Sequence, residues 1–313
     1  MLAPPSQPAN HARLVLVRHG QSEWNRANLF TGWVDVDLTA DGIDEARQAG
    51  KLMRENQLHF DAVYTSVLRR AVRTSCILLS VLGQCYVPVV KDVRLNEQHP
   101  GALSGRNKRK LAEQHGAEQV MRWRRSYEFA PPELEPTSPL QRSIVNDARY
   151  TALRDDGTVP ASESLRNCCE RVDSLWSEQI EPRLRGGGTV LVVSHGNTLR
   201  GLVKRLDGIS DADISQVDLP TAAPLVYTLD RATLRVVGEP HGEWGDVVAH
   251  EGGDAAAARR PARRGRFLLP DERIRQAQLA MRQQVLRDIS VTSLQKAPIG
   301  DAYTAPGADS RLV

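Results

Sequence analysis

The sequence predicts a three-layer α/β/α fold, a mainly parallel sheet covered by helices on both faces. Short apolar runs rich in β-branched residues recur along the chain, separated by stretches whose apolar residues fall at helical spacing. Two of these runs, Leu14–Val17 and Val190–Val193, end abruptly in Arg18-His19-Gly20 and Ser194-His195-Gly196-Asn197. In an open α/β sheet, ligands sit outside the carboxyl ends of the strands. Two strand-His-Gly motifs in one chain therefore suggest two imidazoles meeting at one anion. Gly20, having no side chain, would let that anion approach the backbone closely.

The elements follow in order. After the strand at Leu14–Val17, Thr39 is a plausible N-cap for a helix carrying Ile43, Ala46, Ala49 and Met53. Ala62–Thr65 reads as a strand, and Ser66 opens a helix containing Leu68, Val72 and Ile77–Leu79. Val87–Val90 is a strand that its proline assigns to an edge. Residues 107–127 read as helical with a break at Gly116, and residues 128–162 as a proline-bearing lid or disordered loop. A helix is expected from Glu163 to Leu184, stopped by Gly186-Gly187-Gly188, then a strand over 189–194 and a helix from Asn197 to Leu206. Pro224–Leu229 and Leu234–Val237 are the last expected strands.

The domain boundaries follow from composition. Residues 1–12 read as a disordered lead-in and 13–250 as the main folded domain. A solvated Gly/Ala/Arg linker is expected over 251–270, an amphipathic helix over 271–290 and a disordered tail over 291–313. The helix places Ile274, Ala277, Met281, Val285 and Ile289 on one stripe, which must bury against the body or a partner. Because both strand-His-Gly motifs precede it, the tail should be dispensable for chemistry.

Composition excludes several classes. With 41% hydrophobic and 25% charged residues, the 313-residue chain is ordinary for a soluble globular protein. No apolar run approaches the ~18 residues of a membrane span, and the proline-rich start is not a secretory signal. Cys76, Cys85, Cys168 and Cys169 lack the spacing of a zinc site or a disulfide framework, so reduced thiols in a cytoplasmic protein are expected. Residues 251–313 carry 11 Lys and Arg against 7 Asp and Glu, leaving 30 against 31 elsewhere. A nearly neutral body gives no nucleic-acid footprint. Positive potential for an anion must come from clustered arginines.

Arg18-His19-Gly20-Gln21-Ser22-Glu23-Trp24-Asn25 and Phe30-Thr31-Gly32-Trp33 open a longer series. Arg94-Leu95-Asn96-Glu97, Asn107-Lys108, Trp123-Arg124-Arg125-Ser126, Glu163-Ser164-Leu165, Ser194-His195-Gly196-Asn197 and Pro220-Thr221 continue it. The series resembles the cofactor-dependent phosphoglycerate mutases of the histidine phosphatase superfamily, over roughly residues 13–230. The resemblance implies a phosphoglycerate mutase-like fold and interconversion of 3-phosphoglycerate and 2-phosphoglycerate in glycolysis and gluconeogenesis. It implies a phosphohistidine intermediate, 2,3-bisphosphoglycerate as priming donor, no metal, and a homodimer or homotetramer.

The residue types suit that chemistry. His19 is the candidate nucleophile, since an imidazole titrates near neutrality and its attack on phosphorus splits one transfer into two. Arg18 and Arg70 present guanidinium forks that match phosphate oxygens. His195, if protonated, would add a third cation. Glu97 is the candidate proton carrier through the resemblance, although taken alone it is more readily a structural partner of an arginine. Lys108, Arg124 and Arg125 form a second basic group, as a substrate with two anionic ends needs. The resemblance implies substrate binding there and at Gly20, Gln21, Ser22, Asn25, Thr31, Gly32, Gly196 and Asn197. Gln98 and Pro100 stand where the family usually has arginine and tyrosine. A histidine-type phosphatase of phosphorylated small molecules, and a partner-binding protein with residual catalysis, are the alternative readings.

Overall fold

The computed structural model describes residues 10–245 and 260–286. In chain order the elements are β1 (His11–Arg18), α1 (Glu23–Arg26), α2 (Ala40–Glu55), β2 (Ala62–Thr65), α3 (Arg69–Leu82) and β3 (Val89–Lys91). They continue with α4 (Lys108–His115), α5 (Ala117–Arg125), α6 (Pro139–Val145), α7 (Thr151–Asp155), α8 (Leu165–Leu175), α9 (Glu181–Arg185), β4 (Thr189–Ser194) and α10 (Gly196–Asp207). The last are β5 (Leu225–Asp230), β6 (Gly242–Glu243), β7 (Ala262–Arg263), β8 (Arg266–Phe267) and α11 (Asp271–Leu286).

Six strands form one sheet in the order β3-β2-β4-β1-β5-β8. The pairs β3/β2, β2/β4 and β4/β1 are parallel; β1/β5 and β5/β8 are antiparallel. Leu14, Leu16, Val190 and Val192 point to the face covered by α8 and α10. Val15, Val17, Leu191 and Val193 point to the face covered by α2 and α3. This alternation buries both faces of the central strands, as the near-continuous apolar runs require. Thr39 caps α2 by accepting from the Gly42 amide.

Several expectations are corrected. The strand β1 starts at His11, inside the expected lead-in, because Ala12 and its neighbours pair with β5. Helix α3 starts at Arg69, capped by Leu68, because the Ser66 hydroxyl is engaged elsewhere. Residues 128–162 are not a bare loop: α6, a 3-10 turn at Ala148–Tyr150 and α7 order them. Tyr150 anchors the segment, buried with its ring 4.8 Å from that of Trp33 and its hydroxyl accepting from Asn96 at 3.1 Å. The expected helix over 163–184 is α8, a π-turn at Trp176–Ile180 and α9, started by the Ser164 capping box. Only an isolated bridge, Leu229 to Val236, stands where the strand over 234–237 was expected.

The described part of the expected linker is structured. β7 pairs with β6, and β8 extends the main sheet alongside β5, burying Phe267. The helix α11 packs its Ile274 into the core and lies against α4 and α5. Ile289, the tail over 291–313, residues 1–9 of the lead-in and residues 251–259 of the linker lie outside the described residues. Among the described residues no helix is long and apolar enough to cross a membrane. All four cysteines are free.

Candidate active site

The parallel pairing of β1 with β4 sets Arg18 opposite Ser194. The His19 amide then donates to the Ser194 carbonyl at 2.9 Å, so His19 and His195 leave adjacent strand ends side by side. Their ring centroids are 5.0 Å apart at 60°. Both rings are buried. His19 Nδ1 lies 2.7 Å from the Gly20 carbonyl. A carbonyl only accepts, so Nδ1 carries the proton and Nε2 keeps its lone pair. Arg70 Nε donates to that Nε2 at 3.2 Å. Burial, then Arg70 and Arg18, push the His19 pKa well below its ordinary value. Burial, Arg70 and His19 do the same for His195. Both shifts disfavour the charged ring, so a third cation at His195 would have to form against burial and the neighbouring arginines.

Arg70 is fixed from α3. Its two terminal nitrogens donate to the Val34 and Gly32 carbonyls at 2.9 and 2.8 Å. Burial lowers its pKa to about 10. Arg18 donates to the Leu219 carbonyl at 3.0 Å and leaves Nε buried without a hydrogen-bond partner among the described residues. Glu97 Oε1 accepts from the Asn197 amide at 3.1 Å, at the start of α10, and from the Gln98 amide at 2.9 Å. Arg171 steadies this loop by donating to the Arg94 and Glu97 carbonyls while paired with Glu163 at 2.7 Å.

The second basic group faces the same cavity. Lys108, Arg124, Arg125, Arg18, Arg70 and Glu97 all line it, with Asn25, Thr31, Gly32, Gly196 and Asn197. Its volume is about 90 Å³. Lys108 is buried 5.7 Å from the centre of the Phe30 ring. Its pKa is pushed well below the ordinary value by burial and then by Arg124, Arg18 and Arg125. Burial and Arg125 bring Arg124 down to about 9. Cations crowded together out of water are a site of stored positive potential, relieved when an anion arrives.

Four expected residues do not line the cavity. Gly20 is turned toward α2, where an added Cβ would come within 2.2 Å of the Gly42 carbonyl oxygen. Its missing side chain makes room for the Gly42 backbone. Gln21 is held on α2 by Glu45 and Thr39. Ser22 is the buried N-cap of α1, in a reciprocal capping box with Asn25. His195 stands beside His19, its ring centroid 5.0 Å away, without lining the cavity. The sequence reading missed Arg200, Asp218 and Met281, which line the cavity. Arg200 is buried in α10, donating to the Arg125 and Ile214 carbonyls and to Asn197. Asp218 is buried between Arg125 at 2.5 Å and Arg282 at 2.8 Å. An arginine on the apolar face of a helix, and a carboxylate inside an apolar run, were the signals available. Gln98 and Pro100 also line the cavity. Gln98 donates to the Glu163 carbonyl at 2.6 Å, and Pro100 packs on Gly32, where an added Cβ would lie 2.0 Å from its Cδ.

A larger cleft, about 610 Å³, lies at the far end of α10 beside Asp207 and Arg264 and holds none of the expected site residues. Among the described residues no group of three or more His, Cys, Asp or Glu is placed to hold a metal ion.

The model of the histidine phosphatase superfamily (branch 1) matches residues 14–146 and 141–239. The 2,3-bisphosphoglycerate-dependent phosphoglycerate mutase of Corynebacterium diphtheriae is 49% identical over 251 residues, 80% of this chain and 98% of that protein. The enzyme of the same name from Pasteurella multocida is 52% identical over 217 residues, 69% of this chain and 94% of its own. Among solved structures, an α-ribazole phosphatase from Shigella flexneri is similar, with a TM-score of 0.53 and 26% identity over 72% of this chain and 96% of its own. A phosphoglycerate mutase from Bacillus anthracis shares the fold, with a TM-score of 0.53 and 20% identity over 74% of this chain and 92% of its own.

Proposed function

This chain belongs to the histidine phosphatase superfamily, and we propose that it interconverts 3-phosphoglycerate and 2-phosphoglycerate, as its 2,3-bisphosphoglycerate-dependent relatives are named for doing. One observation carries the reading. A single cavity holds a histidine whose unprotonated Nε2 accepts from Arg70, a first pair of arginines beside it, and a second basic group of Lys108, Arg124 and Arg125. A phosphomonoester alone needs one such group; a substrate with a phosphate at one end and a carboxylate or second phosphate at the other needs both.

The residues present fit the priming donor as well. Arg18 Nε, Arg125 Nε and Arg200 Nε are buried with no hydrogen-bond partner among the described residues, and such atoms ask for an anion. When bound, 2,3-bisphosphoglycerate supplies the phosphoryl group that primes His19. His19 Nε2 accepts that group, and Arg18 and Arg70 offset its charge, the main requirement of phosphoryl transfer. Glu97 takes the proton from the attacking hydroxyl and returns it to the leaving oxygen. Its fixed place at the start of α10 keeps it beside the reacting atoms. Lys108, Arg124 and Arg125 hold the distant anionic end and orient the hydroxyl toward phospho-His19. Packing of α11 over the cavity limits the water that competes for the phosphoryl group. A cytoplasmic location and a homodimer or homotetramer belong to the same proposal; sedimentation of the full chain measures the latter.

The test is conversion of 3-phosphoglycerate with and without added 2,3-bisphosphoglycerate. Conversion that depends on priming supports the reading. Release of inorganic phosphate without conversion overturns it in favour of a phosphatase.

A further inference from the structure

We propose that Ser66 is a positioning residue that holds His195 with its Nδ1–H directed at the phosphoryl group carried by His19. The inference rests on the phosphohistidine reading above and adds a residue that the motifs around His19 and His195 do not contain. Parallel pairing of β2 with β4 sets Thr65 opposite Val193, so the residue after β2 lies beside the end of β4. Ser66 Oγ is 2.7 Å from His195 Nε2, and both residues are fully buried. The same Oγ accepts from the Leu68 amide at 3.2 Å.

The direction of the Ser66–His195 bond follows from counting protons. A hydroxyl has one hydrogen, and Nε2 is its one acceptor found among the described residues. If the hydroxyl instead accepted from Nε2–H, its own hydrogen would lie buried without a partner. His195 Nδ1 would then be a bare lone pair, buried and also without a partner among the described residues. With the hydroxyl donating, Nε2 accepts and Nδ1 carries the proton. That Nδ1 is buried and has no hydrogen-bond partner among the described residues. Its ring stands edge-to-face with His19. A buried donor without a partner beside a nucleophile marks a place where negative charge develops during transfer. The hydroxyl thus selects the tautomer in which His195 contributes a hydrogen bond rather than a repulsive lone pair.

The experiment uses the full chain labelled with ¹⁵N-histidine, whose protonated and bare imidazole nitrogens resonate far apart. His195→Gln identifies the His195 signals among the eight histidines. The expected result is a neutral His195 protonated at Nδ1. In Ser66→Ala that preference is lost, and the rate of His19 phosphorylation by 2,3-bisphosphoglycerate falls by roughly 10–100-fold with KM nearly unchanged, the scale for one preorganised donor. Ser66→Thr, which keeps the hydroxyl, restores both. A wild-type His195 protonated at Nε2 overturns the proposal, as does a Ser66→Ala protein with unchanged tautomer and rate. A chain that never forms phosphohistidine overturns the functional reading instead, and the tautomer measurement still decides the placement of His195.

Discussion

The sulfur of Met281, on α11, lies 3.6 Å from the guanidinium of Arg18, and the Met281 carbonyl accepts from Arg124 at 3.5 Å. The helix is therefore part of the cavity wall. Gln278 donates to the Asp218 carbonyl and Arg282 pairs with the Asp218 carboxylate, while Ile274 is buried. The expectation that the tail is dispensable gives way to a different prediction. A chain ending after Leu269 loses a buried isoleucine, worth ~1.5–3 kcal/mol, and half the pairing of a buried carboxylate. Its Tm should fall by roughly 5–10 °C. Phosphate release should rise several-fold relative to interconversion, because water reaches the site. Equal melting and an equal ratio in the two proteins would show that α11 seals nothing.

His19→Ala should abolish both interconversion and hydrolysis. Nε2 of His19 is the imidazole lone pair held between Arg70 and the cavity, whereas Nε2 of His195 is bonded to Ser66. Acid-labile phosphate on the protein should disappear with the substitution. Labelling at the wild-type level would move the nucleophile elsewhere.

Glu97→Gln tests the proton carrier. The side-chain oxygen of glutamine can still accept from the Asn197 and Gln98 amides, which hold Oε1 of the carboxylate at 3.1 and 2.9 Å. The loop should keep its shape while losing a group that can take a proton. Turnover should drop by ~10²–10⁴-fold with KM nearly constant. A change confined to KM would make Glu97 a binding residue.

The sequence made much of this legible, and the reason differs by element. The strand ends bearing His19 and His195 were readable because both faces of central strands are buried, so the apolar runs are continuous and their interruption is abrupt. The cation set was legible through the motif resemblance, since an Arg-Arg pair on a helix taken alone reads as a solvated face. Gly20 was read as an opening for an anion, yet its missing side chain makes room for the Gly42 backbone; sequence alone does not say which neighbour a glycine admits. The arginine-rich segment around Ala262–Phe267 read as solvated linker because strands of two residues have no period to detect. Its Arg263 is buried, bonded to the Gly265 and His241 carbonyls and to Asp271. The seat of α11 was open because an apolar stripe shows that a surface is covered and not by what.

The last prediction concerns acid stability and turns on His99. Its Nδ1 accepts from the Gly101 amide at 3.1 Å, and its ring lies 5.9 Å from that of Trp33 in full burial. Burial lowers its pKa to about 4, against the opposing pull of Glu163. His19 and His195 are also shifted down. Between about pH 6.5 and the folded values, the unfolded chain binds protons that the folded chain refuses. Stability is thus fully present above pH ~6.5 and is lost as the pH falls below it. Asp207, raised to about 6 by burial, works in the opposite sense, since the folded chain keeps its proton where the unfolded chain releases it. Three histidines outweigh one carboxyl, so the free energy of unfolding in urea should decrease from about pH 7.5 to about pH 5. The His99 share of that decrease is about 2 kcal/mol by linkage. His99→Asn offers Oδ1 to the Gly101 amide but has no proton to gain in this range. Its unfolding free energy should therefore depend on pH less steeply by that amount, whatever its absolute stability after loss of contact with Trp33. A slope equal to that of the unaltered chain would show that His99 takes up its proton in the folded state.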